Sequence, residues 1–258
     1  MVNFQVLKAE KLQNVMVISV VSSQSEPSGQ YQLVSQLDDL LKETEWDTTV
    51  KVLVLAGNTG EFFLEGWEFA ETGSKDKLRL HGRLVNTTEP ITRMDRPVVA
   101  AISGDAIGQG LELALACDIR IATDTSHFGF PHIKEGLIPW DGGTQRLSRV
   151  IGQAKAMEMI LTGEVIDANE ARRIGLVSKV VSSEELMPVT MDMAQEMASK
   201  GPVALRYAKE AIHKGMDLTL EQGLRLEADL YFLLHTTKDR TEGIKAFREK
   251  RTPEFEGR

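Results

Sequence analysis

The sequence holds a single cysteine, Cys117, so no intramolecular disulfide can form and a reducing compartment fits. Cys117 lies in the apolar run LELALACDI, where it reads as a small buried hydrophobe rather than a nucleophile. No apolar run is long enough to span a bilayer, and the first residues lack a signal-peptide pattern, so the expected location is the cytoplasm. Positive charge is not in excess: the formal net charge is -8, which argues against nucleic acid as a partner. His127 and His132 have no third ligand in pattern with them, and His81, His213 and His235 are scattered, so no metal site is expected.

What is present is an ordinary globular composition, 42% hydrophobic and 26% charged over 258 residues, enough for one sizeable core. Short β-branched runs at 15–21 (VMVISVV), 51–56 (KVLVLA), 97–102 (PVVAAI) and 117–122 (CDIRIA) predict buried strands. Helical patterns lie between them, at 30–43 and roughly 75–91. After Ser182 the strand signal disappears, and 184–199, 202–214, 218–235 and 238–250 all read as helices. The expectation is an α/β core followed by a helical C-terminal region. Apolar residues of that region, Leu226, Leu230, Phe232 and Leu233 among them, need a cover, for which a neighbouring subunit is suited.

Two segments carry candidate chemistry. In 128–147, FGFPHIKEGLIPWDGGTQRL, His132 and Asp141 are ionisable groups set among apolar and turn residues. A group titrating near neutrality in an apolar setting is a candidate acid or base, although a structural His and a turn Asp satisfy the same pattern. In 104–110, GDAIGQG, a Gly-rich turn runs into a helix and presents unpaired N–H groups, suited to a developing oxyanion. It is neither a dinucleotide fingerprint nor a P-loop. Glu112 follows at once, a carboxylate in an otherwise apolar stretch, where charge complementation of the helix start is the plain alternative.

These segments resemble the crotonase superfamily, the enoyl-CoA hydratase/isomerase family. The resemblance spans nearly the whole chain and is strongest in PVVAAISGDAIGQGLELALACDIRIAT, IPWDGGTQRLSRVIGQAKAMEMILTGEVIDANEARRIGLVSKVV and the terminal EGIKAFREKRTPEF. It implies an α/β fold, a spiral of ββα repeats over residues 1–198, with a C-terminal helical region, 199–258, that builds trimers or hexamers and closes the active site. It also implies an acyl-CoA thioester substrate, with CoA as part of that substrate and no separate cofactor. By position the oxyanion-hole donors would be the backbone N–H groups of Trp67 and Gln109, where the family commonly has Ala and Gly. Substrate contacts would come from Gly66, Gly108, Trp140, Phe247 and Lys250.

The catalytic positions depart from the family pattern. Typical hydratases hold a water between two glutamates; Glu112 matches the first, while His132 stands at the second. Asp141 stands where many members have Gly or Ala. The spacing of His132, Gly136, Pro139 and Asp141 resembles that of a β-diketone hydrolase branch that cleaves C–C bonds in cyclic diketones. Two schemes therefore stay open. Either Glu112 and His132, steered by Asp141, add water to an enoyl-CoA, or His132 activates water for a retro-Claisen cleavage. A third reading, double-bond isomerisation, needs only one base. The tail at Phe247, Lys250 and Arg251 resembles the family's CoA-contacting end and favours the thioester, expected to be cyclic or bulky. The early loop 22–29 (SSQSEPSG) lacks the basic residue common there.

Overall fold

The computed structural model describes residues 7–20, 27–57, 79–80, 83–84 and 86–258. Strands β1 (Leu7–Leu12) and β2 (Val15–Val20) form an antiparallel hairpin, followed by helix α1 (Pro27–Trp46) and strand β3 (Val52–Ala56). Short strands β4 (Arg79–Leu80) and β5 (Arg83–Leu84) pair with each other, and α2 (Glu89–Thr92) follows. Two successive units then repeat one plan. The first is β6 (Val98–Ile102), β7 (Ala106–Ile107) and α3 (Gln109–Ala116). The second is β8 (Ile119–Thr123), β9 (His127–Gly129), a 3-10 turn (Pro131–Glu135), α4 (Gly143–Ile151) and α5 (Gln153–Thr162). Then come β10 (Val165–Asp167), α6 (Ala168–Arg173), β11 (Lys179–Val181) and helices α7 (Ser183–Ala198), α8 (Pro202–Gly215), α9 (Leu220–Leu234) and α10 (Lys238–Glu249).

The large sheet has the order β1-β2-β3-β6-β8-β11, parallel from β2 onwards, and a smaller sheet has the order β10-β9-β7. Each unit thus gives one strand to each sheet before its helix. That is the ββα spiral implied by the resemblance. Strands β3 and β6 are buried along their whole length, which is why they read as continuous apolar runs. Alternation still divides them. Leu53 and Leu55 of β3, with Val98, Ala100 and Ile102 of β6, enter the core shared with α1, α3 and the small sheet. Val52, Val54, Val99 and Ala101 face the other way, onto Leu186, Ala194 and Ala198 of α7.

The C-terminal helices form as the sequence predicts. Pro202 takes the first turn of α8, and Thr219 caps α9 in a reciprocal box with Gln222. The single helix expected over 75–91 is corrected: β4 and β5 occupy part of that span, and the helix there is only α2. The local cause is Asn86, whose Oδ1 accepts the N–H groups of Thr88 and Glu89 and so starts a new turn. Residues 75–78, 81–82 and 85 lie outside the described residues.

Candidate active site

Gly108 adopts φ 59° and ψ -123°, a backbone state that favours glycine, and its N–H donates to Gly129 O at 2.9 Å. That bond fastens the start of α3 to the end of β9, so the helix and the chain running on to His132 share an origin. Every residue of α3 is buried. An apolar, fully enclosed helix is an unfavourable place for a carboxylate, yet Glu112 is 0% exposed. Its Oε1 accepts the backbone N–H groups of Asp141 at 2.8 Å and Gly143 at 2.9 Å, while Oε2 has no hydrogen-bond partner. Burial lifts the Glu112 pKa to about 7, outweighing the stabilisation its two N–H donors give the charged form.

His132 is half-buried in the 3-10 turn, which ends on Gly136 at φ 73°. Its Nδ1 is buried without a hydrogen-bond partner, and its ring packs on Phe130 with centroids 5.9 Å apart. Burial lowers its pKa, so the imidazole is neutral at pH 7. Phe130 also borders Gly143, where an added Cβ would lie 2.9 Å from the Phe130 ring and 2.9 Å from Glu112 Oε1. One aromatic ring therefore packs against both the His132 side chain and the Gly143 end of the Glu112 cradle.

The sequence leaves open whether Asp141 touches His132; among the described residues its carboxylate is held elsewhere. Its Oδ2 accepts from Thr87 N at 2.7 Å, Thr87 Oγ1 at 2.6 Å and Thr88 N at 3.2 Å, and its Oδ1 from Thr88 Oγ1 at 2.9 Å. Arg146 completes the knot, donating to Asp141 O at 2.9 Å and Thr88 Oγ1 at 3.1 Å. With its acceptor sites filled by these donors, the Asp141 side chain fixes a turn and does not orient His132. Its backbone N–H serves the site instead, through Glu112. Thr87, Thr88 and Arg146 escaped the sequence reading, because they lie in or beyond the misread 75–91 span; the Asn86-Thr87-Thr88 run before Glu89-Pro90 was the available signal.

Gln109 is the first residue of α3 and is 6% exposed. Among the described residues its backbone N–H has no acceptor, as suits a helix start, and its side-chain Nε2 is also unpartnered. Trp67 and Gly66, the other expected contributors, lie outside the described residues. Trp140 is half-buried next to Asp141. Phe247 is 86% exposed on α10, and Lys250 closes that helix at φ 54°. Arg251 is paired with Glu242 at 2.5 Å and Glu249 at 2.7 Å. The recorded contacts thus gather Glu112, Asp141, Gly143, Phe130 and His132, while the tail's contacts lie on α10.

A family model described as enoyl-CoA hydratase/isomerase matches residues 10–258. The chain belongs to this family. Among curated relatives of the enoyl-CoA hydratase/isomerase family, the 2,3-dehydroadipyl-CoA hydratase of Escherichia coli K12 is 40% identical over 231 residues, covering 88% of this chain and 89% of the relative. A crotonyl-CoA hydratase of Syntrophomonas wolfei is 39% identical over 223 residues, covering 85% and 86%. The crystal structure of an enoyl-CoA hydratase from Bacillus anthracis superposes with a TM-score of 0.91 at 35% identity, covering 98% of this chain and all of that one. The crotonase fold and enzyme class follow. Among the described residues no helix is long and apolar enough to cross a membrane.

Proposed function

We propose that this enzyme adds water across the double bond of an enoyl-CoA thioester, with Glu112 as the base and His132 replacing the second glutamate of the family pattern. The observation that carries the reading is the divided Glu112 carboxylate. Oε1 is fixed by two N–H groups, and Oε2 is free to accept a proton at a pKa of about 7. Water donates one hydrogen to Oε2 and the other to the neutral His132 Nδ1. As its oxygen bonds to C3, the π electrons move onto the thioester oxygen, held by the Gln109 N–H and, by position, that of Trp67. The proton taken by Glu112 returns to C2 as the enolate collapses, so the enzyme ends in its starting state.

The relatives named for hydration support this over isomerisation and over C–C cleavage. The acyl group is read as cyclic or bulky, because Trp67 and Gln109 replace the small residues common in the family. Gly66, Gly108, Trp140, Phe247 and Lys250 are assigned to substrate contact, CoA being part of the substrate. Residues 199–258 are read as the oligomerisation region of a homotrimer or homohexamer. The exposure of Leu220 (80%), Phe232 (68%) and Tyr231 (60%) on α9 supports that assignment. The cytoplasm is the assigned location.

Incubation with straight-chain and cyclic enoyl-CoA thioesters and free cyclic 1,3-diketones, followed by mass spectrometry, tests the proposal. A gain of water on a CoA ester, lost in Glu112→Ala and strongly reduced in His132→Ala, is expected. Ring-opened acid from a free diketone, with CoA esters untouched, overturns it.

A further inference from the structure

Gln109 and Glu112 are three residues apart on α3 and so share one face of the helix. Helical side chains lean towards the N-terminus, which carries the Glu112 carboxylate over the turn that Gln109 begins. The two side chains do not bond to each other: Gln109 Nε2 and Glu112 Oε2 are both buried and both unpartnered. His132 Nδ1 is in the same condition, on the segment that the Gly108–Gly129 bond brings to the start of α3. One buried donor and two buried acceptors, none satisfied by its neighbours, match the hydrogen-bonding needs of one small polar molecule.

We infer that the Gln109 carboxamide is a third arm of the water site, donating from Nε2 to the oxygen of the water whose hydrogens go to Glu112 and His132. A water in that position gives both hydrogens and accepts one, which leaves a single lone pair to aim at C3. Two acceptors alone leave the water free to rotate about the line between them; the donor fixes that rotation. Gly or Ala at position 109 would supply the oxyanion-hole N–H but not this donor. Gln109 therefore serves twice, through its main chain on the thioester oxygen and through its side chain on the nucleophile. This function for the water rests on the hydration reading above.

The test pairs a crystal structure of the wild-type protein, at a resolution that orders waters, with kinetics of Gln109→Met, which keeps the length of the side chain but not the donor. The expected structure shows a water within hydrogen-bonding distance of both Gln109 Nε2 and Glu112 Oε2. The expected variant loses about 10- to 100-fold in kcat for hydration, the effect of one hydrogen bond to a reacting group, with KM within about twofold. No water on Nε2, or an unchanged kcat in a folded variant, overturns the inference. So does a loss confined to KM for acyl groups bearing an oxygen, since the amide would then read the substrate. If the water is present but wild-type protein hydrates no enoyl-CoA, the hydration reading fails and the three-armed site stands.

Discussion

Glu112 Oε1 lies 2.9 Å from the Gly143 nitrogen, and Gly143 has no room for a side chain: a Cβ there would be 2.7 Å from Pro139 Cβ and 2.9 Å from that same Oε1. The hydrogen bond that anchors the proposed base therefore depends on a missing methyl group. Gly143→Ala should displace the α4 start, cost about 1–3 kcal/mol in stability and reduce kcat more than KM. Thermal unfolding and steady-state kinetics on one preparation check both effects.

Stability should carry the mark of Glu112 as well. Its pKa is raised from an ordinary 4.5 to about 7, so between those values the folded state binds more protons than the unfolded state. Stability contributed by this group therefore falls as pH rises through that window. Glu112→Gln removes the titration. Relative to wild type, the variant should gain about 3 kcal/mol of stability between pH 4 and pH 8. Denaturant unfolding at the two pH values reads the difference; a constant offset would contradict a buried, raised carboxylate.

Activity should move the opposite way with pH. On the proposed mechanism the base works as a carboxylate and His132 accepts as a neutral ring, its pKa held below the usual value by burial. kcat/KM should rise through about pH 7 and level off above it. In His132→Gln that limb should persist at a rate reduced by about 10- to 100-fold, because the limb belongs to Glu112. A pH–rate profile of both proteins decides it.

Asp141→Asn addresses a second buried carboxylate. Replacing an oxygen that accepts from Thr87 and Thr88 should destabilise the protein by about 1–3 kcal/mol. The pH at which activity rises should move down, since the limb belongs to Glu112 and the negative charge of Asp141 is among the causes that raise the Glu112 pKa. An unmoved limb would show that the Asp141 charge does not reach Glu112.

The exposed face of α9 gives a test of assembly. Phe232→Glu places a charge on a side chain that is 68% exposed in the single chain, so the fold itself should tolerate it. Sedimentation should show a smaller species than wild type. Equal sedimentation would place the subunit interface elsewhere.

Much of this architecture was legible because its signals are local or repeated. β3, β6 and β8 are buried on both faces and announce themselves as apolar runs, and the capped helices after Ser182 carry their own boundaries. Glu112 stood out as a charge in an apolar helix. Less was legible where long-range partners decide the structure. Helical periodicity over 75–91 was overridden by the Asn86 turn and by the grip of Asp141 on Thr87 and Thr88, contacts that span 53 and 54 positions. The same contacts answer what the sequence left open: nine residues permit an encounter of Asp141 with His132, but a set of donors elsewhere claimed the carboxylate.

The complete enclosure of α3 has a bearing on how this protein can change. The segment that carries the proposed base and the proposed oxyanion donor is buried at every residue, so on that reading reactivity and folding answer to the same few positions. Freedom inside that helix is least restricted at its first residue, whose proposed oxyanion contact is made by the backbone and survives any side chain but proline. Exchange at Gln109 would keep that donor and the interior around it while giving up the proposed arm on the water.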